Sequence, residues 1–123
     1  VVGVGSLGSS LLHYDGFSEC GFRIVAGFDA VTFDEEPFKK EKPVFPMRKL
    51  GELCERLKVH MAVIAVPADS AQAVCDELVK SGILAILNFT PVHLTAGPGI
   101  LIQNMNIASA LAVLSSHIRK ELL

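Results

Sequence analysis

The sequence contains no tryptophan, a single tyrosine (Tyr14) and only three cysteines in 123 residues. Cys20, Cys54 and Cys75 are odd in number and form no CxxC pair. A zinc or dithiol redox role is therefore not expected, and the cysteines read as reduced, partly buried thiols of a cytoplasmic protein. Histidine is sparse too. His13, His60, His93 and His117 fall in different segments with no HExxH or other paired spacing, so no metal site is suggested and each reads as a surface or strand-edge residue rather than a catalyst. Positive charge is not in excess: 11 Lys and Arg against 13 Asp and Glu leave a formal net charge of −2. That removes any electrostatic case for this chain alone holding DNA. No apolar run approaches the roughly 20 residues a membrane helix requires, and no basic-then-apolar leader opens the sequence, so no membrane contact is expected.

What is present is globular composition, 50% hydrophobic and 20% charged, at a length suited to one domain. Strand-like and helix-like runs alternate from end to end. Residues 1–5, 22–29, 44–45, 61–66, 83–87 and 100–103 read as strands. Residues 6–18, 47–58, about 69–80 and 106–123 read as helices, with Asp69 and Ser70 available as caps and Gly82 as the stop. Residues 30–43 and 88–98 read as loops. Strands that are apolar throughout are buried on both faces, and helical crossovers between them are right-handed, so the strands are expected to lie parallel. The fold class is α/β: a single Rossmann-type doubly wound parallel sheet of order 3-2-1-4-5-6 with a C-terminal helix. Because the sequence opens inside a core strand, a further upstream segment is expected.

Gly3, Gly5 and Gly8 form a GxGxxG that follows an apolar strand and opens a helix, the context that makes this motif informative. Gly3 permits a tight turn, Gly5 leaves the backbone bare for a pyrophosphate, and Gly8 lets the helix sit close on the strand. Ser6 and Leu7 begin the helix whose free N–H groups and positive dipole end would face the phosphates. Asp29 closes the second strand about 20 residues later, where an acid accepts hydrogen bonds from a ribose diol; the alternative is an Asp capping the next turn. Ala30, Val31 and Thr32 follow it with no Arg or Lys for a 2′-phosphate, which favours NAD over NADP. Val66 and Pro67 end the fourth strand and Asn88, Phe89 and Thr90 end the fifth, so both rims are expected against the nicotinamide half of the cofactor.

The runs GVGSLGSSLLHYDGF, IVAGFD, IAVPADSAQ, GILAILNFTPVHL and IQNMNIASALAVLS together resemble Rex, the bacterial redox-sensing transcriptional repressor, over almost the whole chain. The resemblance implies an NAD(H)-binding domain (residues 1–105) followed by a dimerisation helix (residues 106–123) swapped between the subunits of a homodimer. It also implies a winged-helix domain, absent from this chain, through which alone operator DNA would be held. NADH, competing with NAD⁺, would close the dimer and release the DNA. The resemblance makes Gly3, Gly5, Gly8 and Asp29 dinucleotide contacts, and places Tyr14, Asn106 and Ile107 at the nicotinamide pocket and switch. Asn106 and Ile107 stand where the family often carries Asp-Phe. An apolar stripe of Ile107, Leu111, Leu114, Ile118 and Leu122 fits the swapped helix, and packing on its own subunit is the alternative. Packing in the core, hydroxyl at the edge, is the alternative for Tyr14.

No catalytic residue is expected. An NAD-dependent dehydrogenase would need a substrate domain with an acid or base beside the nicotinamide, and the chain has almost no room for one. A CoA-binding domain like that of succinyl-CoA synthetase shares the core and the phosphate loop. Asp29 argues against it, since an acid there repels the 3′-phosphate of CoA.

Overall fold

Runs that are hydrophobic at every position need cover on both faces, and here they assemble into one parallel sheet. The coordinates are a computed structural model that describes residues 1–31, 33–105 and 107–122. Five strands are formed: β1 (Gly27–Asp29), β2 (Val44–Pro46), β3 (Met61–Ile64), β4 (Ala85–Asn88) and β5 (Leu101–Asn104). β1 pairs with β2, and β3 pairs with β4, which pairs with β5, all parallel. Val2 joins the two groups, bridging Phe28 on one side and Ile64 on the other. The spatial order is therefore β2-β1-Val2-β3-β4-β5. With residue 2 counted as the first strand, this is the expected 3-2-1-4-5-6.

The strands are shorter than their apolar runs. The first shrinks to Val2, whose N–H donates to Val63 O and whose carbonyl accepts from Ala65 N–H, both at 2.8 Å. Gly3 then turns the chain away with φ +91°. The second, expected over residues 22–29, is regular only over Gly27–Asp29, because β2 offers just three partner residues. A ladder is no longer than its shorter strand.

The helices are α1 (Ser6–Leu12), α2 (Gly16–Glu19), α3 (Leu50–Arg56), α4 (Ala68–Lys80) and α5 (Ile107–Leu122). The single helix expected over residues 6–18 is thus broken. His13 leaves helical geometry at φ −102°, ψ 9°, and the chain doubles back so that Gly16 lies under the Tyr14 ring, where a Cβ would collide with it. A 3-10 turn over Met47–Lys49 leads into α3. Asp69 and Ser70 are not caps, because α4 begins one residue earlier behind Pro67. Asp69 instead sits in the first turn, where a negative charge suits the helix dipole. Gly82 ends α4 as expected, with φ +94°.

α4 buries Ala71, Cys75 and Leu78, and α3 buries Leu50, Leu53 and Cys54. Both stripes pack with Phe28, Ile64, Ile83 and Ile86 in one core cluster. Leu12 of α1 is buried apart from that cluster. It sits against Gly27, where a Cβ would lie 3.4 Å from the Leu12 and Val44 methyl groups. The described side chains of α5, residues 110 to 122, are all exposed and add nothing to this core. Self-packing of the stripe is therefore corrected for Leu111, Leu114, Ile118 and Leu122, while the side chain of Ile107 lies outside the described residues. Among the described residues no helix is long and apolar enough to cross a membrane.

Candidate functional site

The chain leaves Val2 in one direction toward β1 and β2 and returns to its other side for β3. This reversal opens a crevice at the carboxyl ends of the strands. A cleft of about 580 Å³ occupies it, walled by Gly3 and Gly5, by Asp29 at the end of β1 and Val31 after it, and by Val66 and Pro67 beyond β3. The volume falls in the range of small-molecule sites.

The three glycines do three different things here. A Cβ on Gly3 would run into the Ala65 carbonyl and Val66, so the turn allows none. A Cβ on Gly8 would overlap the Gly3 carbonyl outright, which is how closely α1 approaches the strand. A Cβ on Gly5 would meet nothing within 4 Å, because the backbone there borders open cleft. Gly5 caps α1 without any side-chain hydrogen bond, and the first turn holds no acid. Ser6, Leu7 and Gly8 thus open a helix whose first N–H groups have no acceptor within it.

Asp29 ends β1 with its carboxylate already oriented. Oδ2 accepts from the Val4 N–H at 2.7 Å and Oδ1 from the Val31 N–H at 3.0 Å. The second bond is the turn-capping role; the first ties the strand end to the glycine loop. Only the three-dimensional structure reveals that tie. The loop that follows returns to β2 through Asp34. Its N–H donates to Val44 O at 2.8 Å and its Oδ2 accepts from Val44 N–H at 2.7 Å. Lys40 donates to Asp34 Oδ1 at 2.5 Å, and this bond, with the one from Val44, holds the Asp34 carboxyl below its ordinary range.

The β4 rim is built differently from its expectation. Asn88 is fully buried at the end of β4, and all four of its side-chain hydrogen bonds are internal. Its amide donates to Val92 O and Asn104 Oδ1, each at 2.9 Å, and its Oδ1 accepts from the Thr90 N–H and hydroxyl at 2.9 and 2.7 Å. Thr90 is buried with it, and its hydroxyl also accepts from Val92 N–H. Neither side chain lines the cleft; the pair braces the rim. Phe89 is half-buried between them, and its N–H donates to Ile64 O at 3.0 Å. Tyr14 is 57% exposed and edge-to-face with Phe17 at 5.3 Å, outside the cleft, so the core alternative for it is corrected. Asn106 and the side chain of Ile107 lie outside the described residues. Met47, Ser70 and Val74 line the cleft without having been assigned to the site from sequence, where Ser70 was read only as a helix cap. The register Asp29↔Pro46 carries the signal for Met47, and the one-turn spacing on α4 carries it for the other two. Among the described residues no group of three or more His, Cys, Asp or Glu could hold a metal ion.

The family described as "CoA binding domain" matches residues 1–92. A redox-sensing transcriptional repressor Rex from Carboxydothermus hydrogenoformans is 40% identical over 121 residues, covering 98% of this chain and 58% of that protein. Rex from Porphyromonas gingivalis is 36% identical over 117 residues, covering 95% and 54%. The chain spans about half the length of the curated relatives it matches. Among solved structures, RSP in complex with β-NAD⁺ and operator DNA superposes with a TM-score of 0.85 at 25% identity, covering 98% of this chain and 55% of that one. RSP in complex with β-NADH gives 0.84 at 27%, covering 98% and 58%. The Rossmann-type fold is thus shared with a Rex-family repressor. The chain belongs to the CoA-binding domain family, and its resemblance to the Rex redox-sensing repressors holds over nearly its whole length.

Proposed function

We propose that this chain is the NAD(H)-binding sensor domain of a redox-sensing transcriptional repressor that releases operator DNA when the ratio of NADH to NAD⁺ rises. One observation carries the reading. Bare backbone at Gly5 and an uncapped helix start lie in the same cleft as an oriented carboxylate at Asp29. Gly3, Gly5, Ser6, Leu7 and Gly8 would receive the diphosphate at the backbone and the positive end of α1. Asp29 would accept from the ribose hydroxyls. Val66 and Pro67 would form the middle wall, and Phe89 with the braced Asn88–Thr90 rim would face the nicotinamide end. Tyr14, exposed beyond α1, would report ligand to a neighbouring domain or subunit, with Asn106 and Ile107 joining it in the switch. Solved structures of RSP with β-NAD⁺ and with β-NADH support this choice of ligand.

In this reading the chain senses rather than catalyses, acts in the cytoplasm, and dimerises through α5. Operator contact belongs to a separate domain, as the length of the relatives and the net charge of −2 both suggest. A second reading is favoured by the family's own description: coenzyme A in the same cleft. Calorimetric titration with NADH, NAD⁺ and CoA separately decides between them. The expected result is NADH bound much more tightly than NAD⁺, and CoA weakest. Equal affinity for NADH and NAD⁺ would remove the redox-sensing role, and preference for CoA would transfer the cleft to the second reading.

A further inference from the structure

The chain between β4 and β5, residues 89–100, is held by side chains. Among the described residues no backbone group from Thr90 to Gly99 bonds to another backbone group. At its start Asn88 and Thr90 fasten it, and Leu94 drops into the core. Beyond Leu94 the fastening comes from α4. Gln72 accepts from the Thr95 N–H at 3.0 Å through Oε1 and donates to the Thr95 carbonyl at 2.9 Å through Nε2. One side-chain amide thus meets both backbone groups of Thr95, as a neighbouring strand would. Nε2 also donates to Asp76 Oδ1 at 2.9 Å, one turn further along α4. The Cys75 thiol, 3.9 Å from the Thr95 carbonyl, adds a weak contact.

Gln72 stands on the flank of α4 turned away from the cleft. Ser70 and Val74 line the cleft, and Gln72 lies two residues from each, about 200° around the helix. One flank of α4 therefore walls the ligand space while the other holds the β4–β5 chain. After Thr95 come Ala96, Gly97, Pro98 and Gly99, all exposed, with Gly99 at φ +87°. Without the Gln72 amide, the stretch from Thr95 to Gly99 keeps only the weak thiol contact. A loop that its ligand must first order costs affinity, and a loop fastened beforehand avoids that cost.

We propose that Gln72 is a positioning residue: by clamping Thr95 it presets the β4–β5 chain against α4, and so sets affinity for the nicotinamide half of the ligand and not for the half held at Gly5 and Asp29. The role rests on the dinucleotide reading above, in which the β4 rim faces the nicotinamide end. The test is calorimetric titration of the chain with NADH and with ADP-ribose, which lacks the nicotinamide ring. Wild type is expected to bind NADH the more tightly. Gln72→Met keeps the length and helix propensity of the side chain. It should weaken NADH about fivefold, the net contribution of one hydrogen bond, and leave ADP-ribose unchanged. Gln72→Glu should show the same selective loss, because a carboxylate has no hydrogen for the Thr95 carbonyl. Asp76→Ala leaves both Thr95 bonds in place and should match wild type. Equal binding of NADH and ADP-ribose by wild type, Gln72 variants that hold NADH as wild type does, or a loss shared by both ligands would overturn the positioning role while leaving the dinucleotide reading in place. Failure of wild type to bind either ligand would overturn both.

Discussion

Two backbone positions show how differently a missing or present side chain is used. Gly5 faces open cleft, so a larger residue there is tolerated by the fold and obstructs only what approaches the amides. Gly5→Val is expected to abolish NADH binding while the circular dichroism spectrum stays native; retained binding would show that the diphosphate lies elsewhere. Lys58 is the reverse case. It ends α3 at φ 53°, the only non-glycine with positive φ among the described residues. Its N–H donates to Glu55 O at 3.3 Å and that of Val59 to Cys54 O at 2.9 Å. α4 ends the same way, with Gly82 donating to Val79 O and Ile83 to Leu78 O. The same cap is thus built once with glycine and once with a residue that has a Cβ. Lys58→Gly should therefore stabilise the fold by about 1 kcal/mol, read as a higher urea midpoint.

At the scale of elements, two connections hold the cleft in shape. The loop between β1 and β2 is fastened by Asp34 through the Val44 backbone and Lys40. Those bonds favour the ionised carboxyl, so the folded value lies below the unfolded one. The contribution is then complete above the ordinary aspartate range near pH 4 and disappears as pH falls through the lowered folded value. Asp34→Asn should be less stable than wild type at pH 7, and the gap should close below about pH 4 in denaturant titrations across that range. A gap independent of pH would remove ionisation as the cause. The second connection is the β4 rim. Asn88 serves four partners with no exposure to water. Asn88→Ala leaves the buried Thr90 N–H and hydroxyl without their acceptor, at an expected cost of about 1–3 kcal/mol in thermal or chemical unfolding.

For the whole molecule, α5 is the element whose apolar side, among the described side chains, has no cover. Leu111, Leu114, Ile118 and Leu122 are 59%, 58%, 55% and 79% exposed and recur every three or four residues. A stripe of that kind in water calls for a partner surface. In the dimer proposed above, a second copy supplies it. Sedimentation is expected to report a dimer, and Leu114→Lys with Ile118→Lys a folded monomer. A monomeric wild type, or a doubly substituted dimer, would take α5 out of the interface.

The alternation of apolar runs with helical spacing determined the parallel sheet and its order, because strands buried on both faces and right-handed crossovers leave few arrangements. Three glycines and Asp29 were legible as a site for the same reason: each is a local backbone or charge requirement that shows in the residue itself. Tertiary structure decided what depends on partners distant in sequence. Strand length followed from β2, three residues long. The break at His13 and the exposure of Tyr14 followed from a chain reversal. Asn88 turned from a rim residue into a buried brace because Asn104 of the neighbouring strand lies 2.9 Å away. Met47, Ser70 and Val74 meet across the cleft only once β2 and α4 are packed on opposite sides of it. Hydrophobic periodicity specifies which face of an element is buried; the register between elements specifies which side chains then touch.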